Sequence, residues 1–452
     1  MNPLDFILGL KADQIASNAR THATRTLFDT LGVAAAATMT DNSRIVRDFA
    51  ALSFGPRSSQ IAQFLFDGRK VSLPGAGFAN AGSIDSLDAH DGQKQTKGHM
   101  GVVVIPALFA FAHSGKRVSG AEFMTRLVIG YEIATRAGIA LHATVPDYHT
   151  SGAWNTVAAA AIGSRALGLD LEWTRHALGI AEYYGPRSQM MRCIDHPTMV
   201  KDGATWGGFI GISAALLAQM SHTSAPAVTV ESREAAPYWA DLGTKWEVAN
   251  QYVKPYPVCR WAQPAITAAL SLRGQFEVAD ITSIEIETFH EAKRLPLAEP
   301  QNTEEAQYSI RFPVAAALVR GCIGVAEVTG AALRDPETLR LANMIEVTEC
   351  DEANAAFPAD RLARVRIGLA DGRRLATGLM KATGDPEAPL SDQQMFDKFS
   401  GLAEPVLGTP RASALLDACL GLWDADSVSH LVELVMPAGQ VQTISSAALR
   451  PS

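Results

Sequence analysis

Two carboxylates, two imidazoles and two amines lie within the segment SLDAHDGQKQTKGHMG, residues 86–101. Apolar segments precede and follow it, so the polar residues form a connection anchored at both ends to buried elements. Catalytic groups are often found on loops that a rigid scaffold holds. A histidine can remove a proton next to a substrate carboxylate, and a nearby aspartate can orient the imidazole. The residue types in this segment therefore indicate proton-transfer chemistry.

Three further segments combine polar residues with glycine or proline in apolar surroundings: PDYHTSGAWNT (146–156), PRSQMMRCIDHPTMVKDGATWGG (186–208) and KPYPVCRWAQP (254–264). They add His149, Lys201 and several arginines, which can hold carboxylates bidentately and stabilise negative charge that develops on a substrate. The sequence has no G-x-G-x-x-G after a strand, no P-loop and no H-E-x-x-H. We therefore expect side chains to carry out proton transfer on a polycarboxylate.

Each of these residues also has a purely structural interpretation. His99 could begin a helix or be a buried histidine between domains, and Asp88 could cap a helix. Lys94 and Lys97 have the character of solvated loop lysines. Lys201 could be a surface residue at a helix start, although its charge there would oppose the helix dipole. The pattern of residue types does not by itself decide between these interpretations.

Composition excludes several classes of function. The chain has 452 residues and a formal charge of −8, which gives no electrostatic basis for binding nucleic acid or an anionic membrane. Its five cysteines are far apart and form no C-x-x-C pair, so we expect free thiols and a cytoplasmic location. The N-terminus does not resemble a secretory signal, and no apolar run has membrane-spanning length. Four side chains have metal-ligand chemistry but fit no recognised ligand spacing: Asp88, His90, Asp91 and His99.

The hydrophobic pattern predicts a mostly α-helical protein with two domains. Apolar residues recur at three- and four-residue spacing from residue 10 to about 265, with many alanines and glycines on the apolar faces. Alternating β-branched residues near 281–289 and 363–380 predict strands, with a turn at Asp371-Gly372. We expect an all-helical domain over 1–267, a smaller α+β domain over 268–392, and a return to the helical domain over 393–452, with Ser391 as a helix N-cap.

Taken in order, the polar segments resemble those of the MmgE/PrpD family over nearly the whole chain. The resemblance rests on LDAHDGQKQTKGHMGVVVIPALFA, YHTSGAWNTVAAAA, MVKDGATWGG, KPYPVCRWAQPAITAAL, QYSIRFPVAAALVRG and GDPEAPLSDQQMFDKF. It implies a large helical domain, a smaller α+β lid domain, a homodimer, and an active site in the cleft between the domains, without an organic cofactor or metal. The site residues that it implies are Asp88, His99, His149 and Lys201.

The sequence departs from the family pattern at two positions. Gly92 replaces a threonine that is usual in family dehydratases and decarboxylases, and Gln263 replaces a histidine. Added positive charge near these motifs favours a highly anionic ligand. The departures favour an isomerase that inverts the carbon α to a carboxylate in iminodisuccinate over a family member that eliminates water or carbon dioxide.

An inversion of this kind needs bases that remove and return a proton. We expect Lys201 and His149 to be these bases, with His99 as the next choice and Asp88 orienting a histidine. The expected substrate-binding residues are Lys97, Tyr148, Arg187, Arg192, Arg260 and Gln263. Two alternatives stay open: a lyase of the 2-methylcitrate dehydratase type that acts on hydroxy polycarboxylates, and a non-catalytic protein that binds a polycarboxylate.

Overall fold

Two hydrophobic cores organise the computed structural model, which describes residues 1–56, 61–112 and 117–436. The first core is built from helices and the second from helices around a small sheet, so the predicted mostly α fold class is confirmed. No helix within the described ranges combines the length and the hydropathy that crossing a membrane requires.

The first core contains the N-terminal helices. The helices of this part of the chain are α1 (Pro3–Gly9), α2 (Ser17–Ala37), α3 (Asp41–Ser53), α4 (Leu73–Asp85), α5 (Gly101–Ala112), α6 (Gly120–Thr144), α7 (Gly152–Leu167), α8 (Leu171–Tyr184), α9 (Met190–Asp195), α10 (Ala204–Gln219) and α11 (Val228–Glu231), and all except α9 contribute to the first core. Helix α9 sends its buried residues into the second core instead. A short antiparallel hairpin, β1 (Ile61–Gln63) and β2 (Lys70–Ser72), also belongs to this region, and the helical pattern did not predict it.

Glycines let three helices of the first core cross at backbone contact. A Cβ added at Gly211 of α10 would lie 2.4 Å from the carbonyl oxygen of Thr156 in α7, and one at Gly77 of α4 would lie 2.8 Å from that of Gly208. Only residues without a side chain allow this approach. The crossing brings together the C-terminus of α4 and the N-termini of α7 and α10, next to the polar segments 86–101, 146–156 and 198–203.

The second core surrounds a five-stranded sheet with strand order β4-β3-β5-β6, in which β7 also pairs with β5. The strands are β3 (Ile281–Thr288), β4 (Ile345–Glu349), β5 (Leu362–Leu369), β6 (Arg374–Ala376) and β7 (Met380–Lys381). Strands β3 and β4 are parallel and the other pairs antiparallel, and Asp371-Gly372 lies in the turn between β5 and β6 as predicted. The accompanying helices are α12 (Gln263–Leu272), α13 (His290–Lys293), α14 (Thr303–Gln307), α15 (Arg311–Arg320), α16 (Pro336–Met344) and α17 (Asp351–Ala356).

The C-terminal helices α18 (Asp392–Leu407), α19 (Thr409–Leu420) and α20 (Ser429–Val435) return to the first core. Ser391 caps α18 in a capping box with Gln394, which confirms the predicted helix start. Helix α12 packs on β5 and belongs to the second core, whereas the predicted domain boundary between residues 267 and 268 would fall inside this helix. The exact boundaries stay a prediction, and residues 437–452 lie outside the described part of the chain.

We expect Gly211→Ala to lower the free energy of unfolding by about 1–3 kcal/mol, because its Cβ would overlap backbone and side-chain atoms of α7. Gly401→Ala is the matched control, since Gly401 lies inside α18 with no atom within 4 Å of an added Cβ. It should stabilise the protein by about 0.5–1 kcal/mol. Urea denaturation followed by circular dichroism measures both changes. Equal effects of the two substitutions would contradict the close crossing.

Candidate active site

The polar segment 86–101 is a fixed, mostly buried loop. Gly92 and Tyr252 exchange two backbone hydrogen bonds, of 3.1 and 2.7 Å, and Gln93 pairs with Gly98. A Cβ at position 92 would lie 2.4 Å from the Tyr252 ring, so the glycine allows the tyrosine to pack against the loop. The interpretation of this segment as a solvated loop is therefore excluded for most of its length.

Asp88 forms a buried ion pair with Lys254. Its Oδ1 accepts a hydrogen bond of 2.6 Å from the Lys254 amine, which also donates to the Asp88 carbonyl at 3.1 Å. Burial by itself would raise the pKa of Asp88, but Lys254 and further cations nearby lower it to about 2. Asp88 is therefore ionised at neutral pH and holds Lys254 beside the cavity.

His99 has the geometry of a general base. Its Nδ1 lies 2.5 Å from the Asp91 carbonyl oxygen and donates to it, which leaves Nε2 as the ring nitrogen able to accept a proton. The backbone N–H of His99 donates to Ser151 Oγ at 2.9 Å. Burial and the charge of Lys254 hold the pKa of His99 well below its ordinary value, so the neutral form is present at neutral pH.

Lys201 connects the two cores. It lies just before α10 with a left-handed φ of 46° and donates a hydrogen bond to Gln307 Oε1 at the end of α14. The amide nitrogen of Gln307 in turn donates to the Leu87 carbonyl at 2.8 Å. The Lys201 amine is 4.9 Å from the centre of the Tyr308 ring. Lys201 is thus a buried cation, and its interpretation as a surface residue is excluded.

Two further carboxylates lie beneath the loop. The backbone N–H of Asp202 donates to Asp85 at 3.2 Å, and Ser151 donates its hydroxyl to Asp202. Burial raises the pKa of Asp85 to about 6, and burial together with the charge of Asp85 raises that of Asp202 to about 8. The His90 ring packs 4.5 Å from that of His99, and burial with nearby cations lowers the His90 pKa to about 3. This layer supports His99 from behind.

Of the predicted substrate-binding residues, three line the cavity: Lys97, Tyr148 and Arg260. The Lys97 amine lies 4.3 Å from the centre of the Tyr148 ring, and the tyrosine hydroxyl donates to the Lys97 carbonyl. Arg260 forms a buried ion pair of 2.6 Å with Asp385 and packs 4.8 Å from the Tyr252 ring centre. Cations from both sides therefore surround the cavity.

The other predicted residues, including Lys201 beside Tyr308, do not line it. His149 stacks on His142 at 6.4 Å, and its backbone N–H donates to the His142 ring. Arg187 and Arg192 are exposed, because the 186–200 segment directs them to the surface. Gln263 is fully buried behind Arg260, and its Oε1 accepts a hydrogen bond of 2.9 Å from the Arg260 guanidinium. Catalytic or binding roles for these five residues stay predictions.

Six residues that were not singled out from the sequence complete the lining with Met190 and Ile194: Tyr252, Lys254, Cys259, Trp261, Tyr308 and Arg361. Lys254, Cys259 and Trp261 belong to the KPYPVCRWAQP segment, and Tyr308 belongs to QYSIRFP, so the motifs themselves carried this signal. Arg361 lies just before β5 and belongs to none of the sequence motifs. Only the approach of β5 to the helical core places it here.

The lining residues come from both cores, and the cavity that they enclose has a volume of about 20 Å³. This is room for about one water molecule. A di- or tricarboxylate is larger than this volume. In the described part of the chain, no group of three or more His, Cys, Asp or Glu side chains could hold a metal ion.

Two family models match the chain: the MmgE/PrpD N-terminal domain over residues 4–245 and the MmgE/PrpD C-terminal domain over residues 256–422. Similar curated proteins include the cis-aconitate decarboxylase of Aspergillus terreus, which is 22% identical over 85% of each chain. The cis-aconitate decarboxylase-like protein oryM of Aspergillus oryzae is 24% identical over 81% of this chain and 83% of its own. The Homo sapiens cis-aconitate decarboxylase is 23% identical over 95% of this chain and 92% of its own.

We expect Lys254→Met to lower the free energy of unfolding by about 3–5 kcal/mol, because it leaves the Asp88 carboxylate buried without its partner. The double variant Asp88→Asn/Lys254→Met should recover at least about half of this loss, since asparagine is neutral and tolerates the left-handed φ of position 88. Urea denaturation measures both. Lys293→Met, which removes an exposed pair with Glu349, should leave the midpoint of urea denaturation close to that of wild type. A double variant as unstable as the single one would argue against the pair.

Proposed function

The chain belongs to the MmgE/PrpD family, and from that premise we propose that it is an enzyme that moves a proton at a carbon next to a carboxylate of a di- or tricarboxylate. The observation that supports this most directly is the neutral His99 in the cavity lining, whose Nδ1 donates to a backbone carbonyl, so that Nε2 is the ring nitrogen that can take a proton. Cations around the same cavity can hold the carboxylates and stabilise the enolate-like charge that proton removal creates.

The finer proposal is that the reaction is an epimerisation of iminodisuccinate. Inversion requires a proton to leave one face of the carbon and return to the other. His99 comes from the loop of the first core, whereas Tyr308 comes from the second core and has the Lys201 amine 4.9 Å from its ring centre. Groups that carry protons thus reach one cavity from two directions. In this proposal His99 is a base of the inversion, which is the role that the sequence analysis gave first to His149.

A lyase acting on a hydroxy or unsaturated tricarboxylate is the second candidate. The similar curated proteins named above are cis-aconitate decarboxylases. At Gly92, the space that a threonine side chain would need is filled by the Tyr252 ring and hydroxyl, so a hydroxyl group is present there. Gln263 lies behind Arg260 and outside the lining. Neither departure from the family pattern therefore removes a polar group from this cavity.

We also propose that the protein is a homodimer. The helices α3, α4 and α10 share a cluster of contacting aromatic rings whose outer members are exposed, with neighbouring aliphatic side chains also exposed. This apolar face contains Ile45, Phe49, Leu52 and Trp206. A contiguous exposed apolar face of this kind is typical of an interaction surface, and a second copy of the chain is its proposed occupant. All five cysteines are free, in keeping with the proposed cytoplasmic location.

Proton NMR in deuterium oxide tests the proposed reaction. With iminodisuccinate stereoisomers, we expect loss of the α-proton signal together with interconversion of diastereomers. With cis-aconitate or 2-methylcitrate, a new olefinic product would instead establish the lyase. Binding and thermal stabilisation by these compounds without deuterium exchange or product would identify a non-catalytic binding protein.

Replacement of His99 identifies the base in the same assay. His99→Asn should lower the rate of deuterium exchange about 10²- to 10⁴-fold, because it removes the group that accepts the proton. His290→Asn is the control, since His290 is exposed and pairs with Glu349 at the surface. A His99→Asn variant that retains the wild-type rate would contradict the assignment of the base.

Light scattering after size exclusion tests the dimer. We expect a mass of about twice the chain's 48.2 kDa. Phe49→Glu/Trp206→Glu should give a monomer, because the charges would be buried in the apolar interface. Leu420→Glu, an exposed apolar position on α19, should leave the mass unchanged. A wild-type monomer would rule out the proposed interface.

A further inference from the structure

We infer that Arg361 and Lys97 form a second carboxylate subsite in the cavity, which binds a substrate carboxylate other than the one beside the reacting carbon. The inference rests on the proposed function and extends it, because it names the feature of the substrate that the site requires. It concerns two cations that lie on opposite sides of the seam between the cores.

Arg361 is a buried guanidinium without an ion pair among the described residues. It is 5% exposed and lines the cavity, and its Nε and Nη1 atoms are buried with no hydrogen-bond acceptor in the described part of the chain. Arginine stays protonated in proteins, so neutralisation cannot relieve this arrangement. A buried charged donor that lacks an acceptor costs stability. A ligand carboxylate would supply the missing acceptor.

The other cations of the site already have partners. Lys254 pairs with Asp88 at 2.6 Å, Arg260 pairs with Asp385 at 2.6 Å, and Lys201 donates to Gln307. Arg260 and Arg361 both pack on the Tyr252 ring, at 4.8 and 5.7 Å from its centre. The two arginines thus share one support, but in the described residues only Arg260 has a carboxylate at ion-pair distance.

Lys97 is the second lining cation without an ion pair among the described residues, and it comes from the other core. The backbone of Lys97 has a left-handed φ of 51°, and its amine lies over the Tyr148 ring instead of against a carboxylate. Burial lowers the pKa of Lys97; Glu291 opposes this effect, and the charge of Arg361 adds to it. Within the described ranges, the two cations therefore repel each other with no carboxylate at ion-pair distance from either amine or guanidinium.

A carboxylate between these residues would remove the repulsion and satisfy the donors at once. The planar guanidinium can hold both carboxylate oxygens, while the lysine adds a compact charge from the opposite side. Because each core supplies one cation, such a ligand would also stabilise the closed arrangement of the two cores. The subsite therefore selects ligands with at least two carboxylates.

Isothermal titration calorimetry with the unreactive tricarboxylate propane-1,2,3-tricarboxylate tests the subsite on the full-length protein. We expect Arg361→Met to raise the dissociation constant about 10- to 100-fold, because it removes the charged donors. Arg361→Lys should fall between, since it keeps the charge and loses the planar fork. Arg374→Gln, which changes an exposed arginine on β6 of the same sheet, should leave the dissociation constant within about threefold of wild type.

The melting temperature of the ligand-free protein separates ligand binding from a structural role. Removal of a buried cation without a partner should not lower it by more than about 2 °C. A marked loss of stability in both Arg361 variants would assign the residue to the fold and overturn the proposal, as would an unchanged dissociation constant in stable variants. If wild type binds the tricarboxylate through Arg361 but exchanges no deuterium into any substrate, the proposed reaction fails and the subsite stands.

Discussion

The buried ion pair between Asp88 and Lys254 is the interaction on which the rest of the site depends. Removing two charges from water costs free energy that mutual attraction and hydrogen bonds must offset. The Lys254 amine donates to Asp88 Oδ1 and to the Asp88 carbonyl, whereas Asp88 Oδ2 is buried without a hydrogen-bond partner among the described residues. The pair fixes the loop before His99 to the segment that connects the two cores. Gln307 adds a second tie from the other core through Lys201 and Leu87.

The helical core makes that pair possible by bringing helix ends together. Where α4, α7 and α10 cross, backbone contacts at glycine place Asp85, Ser151 and Asp202 in one hydrogen-bonded layer. This layer fixes the backbone of His99, because the His99 N–H donates to Ser151 Oγ. A general base needs a fixed orientation as well as a suitable pKa, and here packing between small residues supplies the orientation.

The buried cations of the site differ in whether they have a partner of opposite charge. Most buried cations around the cavity have anionic or hydrogen-bonding partners, which offset the free-energy cost of burying them. Lys97 and Arg361 have no carboxylate at ion-pair distance among the described residues. They therefore repel each other, and an anionic ligand would relieve this repulsion. Retention of unsatisfied charge at the point where the cores meet is the usual compromise between stability and binding.

Much of the fold and part of the site could be predicted from the sequence. The periodicity of apolar residues determined the helices, alternation determined β3 and β5, and local capping chemistry determined the start of α18 at Ser391. These are local properties, so the linear order of residues suffices. Asp88 and His99, which line the cavity, could be singled out because they lie in a polar segment with a recognisable motif. Lys201 was singled out in the same way, but it lies outside the lining, beside Tyr308. Lys254 lay in such a segment as well, but its partner could not be read from the order of residues, since Asp88 is 166 positions away.

Only the tertiary structure decided which of the candidates share one cavity. It brought in Tyr308 and Arg361 from the second core, and it placed Gln263 behind Arg260 and Arg187 at the surface. It also decided the states of the groups, because burial and neighbouring charges make Asp88 an anion and His99 a neutral base. Residue type and spacing determine what a side chain can do. Its pKa and its partners depend on distances across the fold, which are set only when the two cores pack together.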